Sequence, residues 1–410
     1  FGNLKFAGAK LAAENLEHAT NPRDSRPALC TRGCTVLQMS ITLLVALLLI
    51  IRPMPDAAML DNAVDMAVDK MVAMQDGPNK GEWPYEGVYR VGGKIPFGYR
   101  IGGTSIVGES ILRAPGYESH PDRQAAIRRA TEFVCAGITE PLLQFSTYEG
   151  GYDVRAWASC YGARFLLALE RYKVVPKGLE STVTTALKWY LETLQKFEIP
   201  QVGGWNYARD PGAETPSATS GFMTPACLQT LYEAKALGYA VDPQVVTRAL
   251  NALELCRTSD GNFAYATLKQ ARMQTKQIPG AVGRMVASEA ALFLAGRSDN
   301  AKLKVAVEDF IRYWADLEKR RAKTGTHLPP YNIAPYYFWY AHYHAAQAVE
   351  LLNASDRDTL RSQLNWLLWQ TRTAEGTWND RVFPRSAAYG SAMAVMSIRM
   401  PESFPPNKWN

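Results

Sequence analysis

The stretch TTALKWYLETLQ at residues 184–195, GGWNY at residues 203–207 and GFMTPACLQTLYEAKAL at residues 221–237 decides the fold. From Leu187 onward the first run places apolar residues at i, i+3, i+4 and i+7, which predicts a helix with one buried face. The last run is poorer in charge and predicts a helix that is buried on most of its surface. A glycine-aromatic turn joins the two. The stretch therefore predicts a helical hairpin with an outer and an inner helix.

The same hairpin pattern can be laid over the chain six times, with irregular spacing that indicates variable connectors. No segment shows the alternation typical of strands. Because stacked repeats bury one continuous core, we expect an all-α fold, an α/α toroid (barrel) of about six helical hairpins around a central cavity. The turn aromatics are Trp83, Tyr152, Trp205, Phe263, Tyr331 and Trp378. The outer helices are expected at residues 60–75, 125–136, 184–195, 244–256, 301–319 and 359–371, and the inner helices at 103–114, 156–172, 221–237, 284–295, 335–352 and 386–399.

Composition narrows the function classes. Of the 410 residues, 47% are hydrophobic and 20% are charged, which is typical of a globular protein. The net charge of +6 is spread without a long basic run, so nucleic acid is not an expected partner. The six cysteines form no C-x-x-C pair, which argues against a zinc ribbon or a redox pair. Buried free thiols are the simplest interpretation, and a disulfide stays open for an exported chain.

The N-terminal segment contains an apolar stretch, residues 33–51, between Arg32 and Arg52. Its length is borderline for a membrane span, which needs about 20 apolar residues. The small, turn-prone residues 53–58 that follow favour an export signal over a membrane anchor. We therefore expect an upstream segment plus export signal or membrane anchor at residues 1–58 and a single α/α-toroid domain at residues 59–410. The expected location of this bacterial exported protein is the periplasm or cell envelope.

The repeated unit of outer helix, glutamine, glycine-aromatic turn and small-residue helix resembles the repeat of squalene cyclases and protein prenyltransferases. The resemblance covers residues 60–400 and implies a terpenoid cyclase-like toroid. It also implies that the turn tryptophan stacks on a glutamine of its own repeat, Gln195 with Trp205 and Gln370 with Trp378. The matching stretches are Gln75 with 81–83, 150–152, Gln195 with 203–205, 260–263, and Gln370 with 375–378.

The chemical motifs of that family are missing. The cyclase run Asp-x-Asp-Asp has its nearest match at residues 356–359, where Asp356 and Asp358 are present and the last Asp is not. No Asp-x-Cys zinc motif and no Gly-Cys-Gly-Glu-Gln thioester run occurs. No catalytic residue therefore carries over from the resemblance, and neither a cofactor nor a metal is expected.

Arg100, Arg155, Arg284 and Arg385 occupy one register at the beginnings of four inner helices. Helix dipoles favour anions there, and clustered guanidinium groups bind carboxylate, phosphate or sulfate with forked hydrogen bonds. These four residues are therefore candidate ligand-binding residues. The alternative is that each arginine pairs with a local carboxylate, as Arg155 would with Asp153.

The aromatic run at residues 336–344 supplies two further candidates, Tyr336 as a ligand-binding residue and His342 as a ligand-binding or catalytic one. A packed core histidine is the alternative for His342. His342 and His344 lie ~200° apart on a helix and cannot ligate one metal from one face. Acids that reach the cavity are candidate general bases, and Asp153 and Asp260 lead, with helix capping as the alternative. The acids considered are Glu109, Asp153, Asp210, Asp260, Glu289 and Asp380.

The leading interpretation is an exported toroid that holds a small molecule, lipid or glycan, an anionic one among the options, in its central cavity. The alternative is an enzyme on the same fold, either terpenoid cyclase-like or a polysaccharide lyase or hydrolase. An acid held among arginines and a histidine would favour the enzyme. A cavity filled by Tyr and Trp side chains would favour a structural role.

Overall fold

The computed structural model describes residues 52–87, 89–267, 278–325, 327–335 and 337–409. The chain divides into the units Phe1–Arg52 and Pro53–Asn410, and the second unit holds every described helix. The apolar stretch at residues 33–51, with Cys30 and Cys34 before and within it, lies outside the described residues. Within the part that the structure describes, no helix is both long and apolar enough to cross a membrane.

The described chain forms twelve α-helices in which outer and inner helices alternate. Two short strands in the connectors, β1 (Gly151–Tyr152) and β2 (Ala208–Arg209), pair antiparallel. The outer helices are α1 (Ala57–Ala73), α3 (Pro121–Ala136), α5 (Glu180–Lys196), α7 (Pro243–Glu254), α9 (Asn300–Glu318) and α11 (Ala354–Gln370). The inner helices are α2 (Phe97–Leu112), α4 (Arg155–Arg171), α6 (Thr224–Ala236), α8 (Val282–Leu294), α10 (Tyr337–Leu351) and α12 (Ala387–Ile398).

The inner helices form a closed ring. In chain order α2 packs on α4, α4 on α6, α6 on α8, α8 on α10 and α10 on α12, and α12 returns to α2. Each outer helix packs against the inner layer, as α3 does on α2 and α11 on α10. The predicted all-α toroid of six hairpins is confirmed.

Burial separates the two layers as the charge pattern predicts. Every residue of α12 is buried, whereas only four residues of α11 are. Three of the outer helices begin at polar caps that are exposed to water. Asp56, Asp242 and Asp299 accept hydrogen bonds from backbone N–H groups in the first turns of α1, α7 and α9, which satisfies donors that have no partner inside a helix.

Three of the six turns share one set of hydrogen bonds, which we call the tryptophan turn. The indole Nε1 donates to a carbonyl near the end of the outer helix, and the backbone N–H of the tryptophan donates to a hydroxyl of the inner helix. Each turn thus fixes the angle between the two helices of its hairpin. The sets are Trp83 with Met71 O (2.6 Å) and Thr104 Oγ1 (2.8 Å), Trp205 with Leu194 O (2.8 Å) and Thr224 Oγ1 (3.0 Å), and Trp378 with Leu368 O (2.9 Å) and Ser391 Oγ (3.0 Å).

The amide of Gln195 connects one outer helix to the next. Its Oε1 accepts from the backbone N–H of Asp242 at 2.8 Å, and its Nε2 donates to Ala240 O at 3.5 Å. The stacking of Gln195 on Trp205, and of Gln370 on Trp378, stays a prediction.

Candidate active site at the beginnings of the inner helices

A cavity of about 360 Å³ lies where the inner helices begin. This volume falls within the range of small-molecule sites, about 300–1,000 Å³. Ten of its fourteen lining residues are Tyr, Trp or Phe. The wall of the cavity is therefore formed mainly by aromatic rings and phenol hydroxyls. The lining residues are Tyr85, Gly87, Tyr89, Tyr99, Tyr152, Val154, Trp157, Tyr161, Tyr207, Phe222, His327, Tyr340, Arg381 and Tyr389.

Residues at one fixed position in the turns contribute side chains to the wall of this cavity. The residue two positions after the turn aromatic lines the cavity in three hairpins, as Tyr85, Val154 and Tyr207. Asp380 occupies the same register after Trp378. The sequence interpretation aligned the inner helices on their arginines and missed this set. Counting two residues from each turn aromatic would have found it.

The tyrosine hydroxyls in the cavity wall differ in whether they form hydrogen bonds with other groups of the protein. The hydroxyls of Tyr99 and Tyr152 lie 2.7 Å apart, and the hydroxyl of Tyr340 donates to Phe222 O at 2.7 Å. By contrast, the buried hydroxyls of Tyr85 and Tyr207 have no hydrogen-bond partner among the described residues. These two phenols retain both a donor and an acceptor.

Asp380 is fully buried, and neither of its carboxyl oxygens has a hydrogen-bond partner in the described chain. Burial raises the pKa of Asp380 to about 7, against the lowering effect of Arg381 and Arg321. Burial first, and then the nearby Asp380 charge, raise the pKa of the phenols of Tyr85 and Tyr389. The carboxyl therefore exchanges a proton near neutral pH, next to two tyrosines that line the cavity.

The loop that carries Asp380 is fixed from both sides. The carbonyl of Asp380 accepts from the N–H of Ala322 at 3.1 Å, and Arg321 Nη1 donates to Asn379 O at 3.1 Å. The side chain of Asn379 accepts from the N–H of Arg381 at 3.0 Å and donates to Phe383 O at 2.9 Å. Asp380 and Arg381 are thus held in place rather than on a free loop.

Arg381 lines the cavity and is only 3% exposed. Its Nε and Nη1 atoms are buried and have no hydrogen-bond partner in the described structure. A guanidinium group keeps its charge in proteins, and a buried charge without hydrogen bonds is costly. These open donors suit a carboxylate or another anionic group on a ligand.

The four predicted arginines lie at the beginnings of inner helices, but none of them lines the cavity. Arg100 and Arg155 pair with carboxylates of their own turns, which is the alternative that the sequence left open. Arg385 pairs instead with Asp76 of the first hairpin, and Arg284 donates to backbone carbonyl groups. Their ligand-binding role stays a prediction without support from this geometry. The contacts are Arg100 Nε to Glu82 Oε2 (2.6 Å), Arg155 Nε to Asp153 Oδ2 (2.9 Å), Arg385 Nη2 to Asp76 Oδ2 (2.9 Å), and Arg284 to Phe263 O (3.1 Å) and Gly280 O (2.9 Å).

His342 is packed in an aromatic cluster outside the cavity lining. Its Nε2 accepts from Trp314 Nε1 at 2.7 Å, and burial lowers the pKa of His342 to about 3. The ring is therefore neutral at physiological pH. Tyr336 lies outside the described residues.

The two predicted acids are not at the cavity either. Asp153 accepts from the backbone N–H of Arg155 at 2.7 Å and forms an ion pair with its guanidinium group. Asp260 is exposed and accepts a hydrogen bond from the hydroxyl of Thr258. Among the described residues, no group of three or more His, Cys, Asp or Glu side chains could hold a metal ion.

No family model matches this chain. No curated protein sequence matches it either. Solved structures do match in fold. An unsaturated glucuronyl hydrolase from Streptococcus agalactiae is 9% identical, with 86% of this chain and 94% of that chain covered and a TM-score of 0.59.

Two further solved structures are similar over most of their length. A D-mannose isomerase is 12% identical, with 84% of this chain and 98% of that chain covered and a TM-score of 0.53. An unsaturated glucuronyl hydrolase specific for heparin is 10% identical, with 85% and 99% covered and a TM-score of 0.51. At such low identities the likeness establishes the α/α-toroid fold alone.

Proposed function

We propose that the protein is an enzyme that binds an acidic sugar in the aromatic cavity and cleaves it by acid–base catalysis. The observation that carries this proposal is Asp380, a fully buried carboxyl with a pKa raised to about 7 beside two cavity tyrosines. A group that titrates near the working pH is suited to exchange protons with a substrate. The similar solved structures are described as a glucuronyl hydrolase and a mannose isomerase, which also act on sugars.

The role of each residue in the proposed reaction is assigned from its position at the cavity. Tyr85 and Tyr389 line the cavity, and a water molecule passes the proton between their phenols and the Asp380 carboxyl, because no hydrogen bond joins these groups in the described structure. Arg381 binds the sugar carboxylate and neutralises its charge. In an elimination, the base takes the proton from the carbon beside the carboxylate, the bond to the glycosidic oxygen breaks, and that oxygen leaves with a proton. Most glycosidases use a pair of carboxylates, whereas no Asp or Glu is among the residues that line the described cavity and Asp380 is the one carboxyl whose charge acts on its tyrosines, so we favour elimination over hydrolysis.

The test is cleavage of uronic-acid oligosaccharides by the full chain. Elimination is read from the ultraviolet absorbance of an unsaturated uronate, and hydrolysis from new reducing ends without that absorbance. We expect Asp380→Asn to lower kcat by roughly 10²–10⁴-fold, as for other general acids and bases. We expect Arg381→Gln to raise KM for acidic sugars about tenfold or more, because a charge-assisted hydrogen bond is lost.

The control variant is Arg312→Gln, which removes an arginine whose side chain is 65% exposed. It should behave as the wild type. Acidic sugars that neither bind nor react, or an Asp380→Asn variant with wild-type kcat, would reject the proposal.

A second candidate is cyclisation of an apolar polyene, as the resemblance to the squalene cyclase repeat suggests. The feature that favours cyclisation is the aromatic lining of the cavity, since the faces of aromatic rings stabilise cations. The protonated carboxyl of Asp380 could start the reaction. Triterpenes that raise the melting temperature when acidic sugars do not would favour this candidate.

We also propose that residues 1–58 direct export to the cell envelope, on the basis of the apolar stretch at residues 33–51. Fractionation of cells that express the full chain tests this. Protein found only in the cytosolic fraction would contradict it.

A further inference from the structure

A second cavity lies at the opposite end of the ring, where the inner helices end. Its volume is about 60 Å³, and polar and charged side chains from four inner helices line it, among them Glu109, Arg164, Gln229, Glu233 and Gln347. A space of this size holds about four to six water molecules or one compact ligand. It shares no lining residue with the aromatic cavity.

Gln229 is the residue that points to a ligand. It lines the second cavity and is only 7% exposed. Neither its Nε2 nor its Oε1 has a hydrogen-bond partner among the described residues. A buried amide without partners is costly, so a bound group that both accepts and donates hydrogen bonds would be favoured here.

The charge of the second cavity favours an anion. Three guanidinium groups, those of Arg113, Arg164 and Arg171, face two carboxylates, which leaves one positive charge over. Burial alone would raise the pKa of Glu109, but Arg164 and Arg113 lower it overall, and Glu109 is therefore ionised. The site is positive even with both carboxylates charged.

Both carboxylates already have hydrogen-bond partners. Glu109 accepts from Arg113, and from Arg164 at 2.7 and 3.1 Å. Glu233 accepts from Arg171 at 2.6 Å and from Asn407. The carboxylates are therefore not free to bind a cation. The buried Nε of Arg113, by contrast, has no partner in the described chain and remains an open donor.

We propose that this cavity binds a compact oxyanion that also carries a hydroxyl group, such as hydrogen phosphate or a 2-hydroxycarboxylate. Its negative oxygens accept from the arginines and from Gln229 Nε2, and its hydroxyl donates to Gln229 Oε1. The space is suited to a ligand as small as glycolate or phosphate. This site is independent of the function proposed for the aromatic cavity.

The C-terminal segment, residues 403–409, covers the second cavity. Phe404, Pro406 and Asn407 line it. Arg171 donates to Pro405 O at 3.1 Å, and the N–H of Trp409 donates to Leu294 O at 2.9 Å. A ligand that bridges Gln229 and the arginines would therefore lie beneath this segment and slow its opening.

The test is the melting temperature of the full chain in glycolate, phosphate, acetate and chloride at equal ionic strength. We expect glycolate and phosphate to raise it by several degrees, acetate to raise it less because it lacks the hydroxyl, and chloride not to raise it. Gln229→Leu should abolish the difference between glycolate and chloride. Gln363→Leu, the same change at an exposed position, should retain it.

Two further variants keep the outcome decisive. Gln229→Glu places a carboxylate among the arginines in place of the ligand, so we expect a higher melting temperature that no longer responds to glycolate. Arg312→Gln, at an exposed arginine outside both cavities, should leave the glycolate response unchanged. Hydrogen exchange of residues 403–409 should slow with glycolate in the wild type and not in Gln229→Leu. A glycolate response equal to that of chloride, or one that persists in Gln229→Leu, would overturn the proposal.

Discussion

Asp380 costs the folded protein free energy whenever it is ionised, because the charge has lost its water and gains no hydrogen bond in the described chain. Its pKa of about 7 compares with about 3.9 in an unfolded chain. Between these two values the native state binds the proton more tightly than the unfolded state does. The free energy of unfolding therefore falls as the pH rises through this window.

The first prediction concerns this pH dependence. Asp380→Asn removes the titrating group, so the variant should lose less stability than the wild type when the pH is raised from about 5 to about 8. We expect the difference between the two proteins to be on the order of 2 kcal/mol. Urea unfolding at both pH values measures it, and Asp358→Asn, at a side chain that is 91% exposed, is the control. An equal pH dependence in wild type and Asp380→Asn would show that Asp380 does not hold the proton.

Which residues form the site was only partly predictable. The four arginines do share one register, but each bonds to other groups of the protein, to an acid of its own turn as between Arg100 and Glu82, to an acid of another hairpin as between Arg385 and Asp76, or to backbone carbonyls as for Arg284. Such pairing depends on how a connector folds back, and connector length varies between hairpins. Asp380 was considered among the acids, and the one sequence signal that separates it from Asp260 is its register two residues after Trp378. The structure separates the two acids by burial, since Asp380 is 0% exposed and Asp260 lies at the surface.

At the scale of the helices, periodicity predicted the alternation of outer and inner helices because burial differs so strongly between them. The start of α2 was less predictable, and it begins at Phe97 rather than near residue 103. Glycines weaken the sequence signal for the first turns of this helix, because glycine has a low helix propensity. Gly102 is needed for close approach to α4, since a Cβ there would lie 2.1 Å from the Trp157 ring. The tertiary contact outweighs the local preference.

The second prediction concerns the tryptophan turn. Thr224→Val removes the hydroxyl that accepts from the N–H of Trp205 and leaves that buried donor without a partner. We expect a loss of about 1–3 kcal/mol in the free energy of unfolding. Denaturant unfolding measures it, with Thr185→Val, at an exposed position of α5, as the control. Equal losses in the two variants would mean that the turn does not stabilise its hairpin.

At the scale of the whole molecule, the contact of α12 with α2 closes the ring. Arg399 on the last hairpin also pairs with Asp61 on the first, at 2.7 Å. Inner helices that are buried on all sides depend on this closure, because an open end would expose an apolar face. In open repeat arrays such an end needs a polar capping repeat.

The third prediction is a pair of truncations. A chain that ends after Glu402 lacks the C-terminal segment but keeps all twelve described helices, so it should stay soluble with a modestly lower melting temperature. A chain that ends after Asn353 lacks α11 and α12, exposes the apolar faces of α10 and α2, and should aggregate. Size-exclusion chromatography and circular dichroism distinguish the two. A soluble, cooperatively melting second truncation would show that the ring need not close.

The contact between the first and last hairpins has a topological consequence. Since Asp61 and Arg399 lie side by side, a short linker could join the end of α12 to the start of α1. New termini could then be opened in an exposed connector, such as residues 238–242 between α6 and α7. The order of hairpins in space would be unchanged by such a circular permutation. Which hairpin comes first is therefore fixed by the order of the sequence and not by the closed ring of helices.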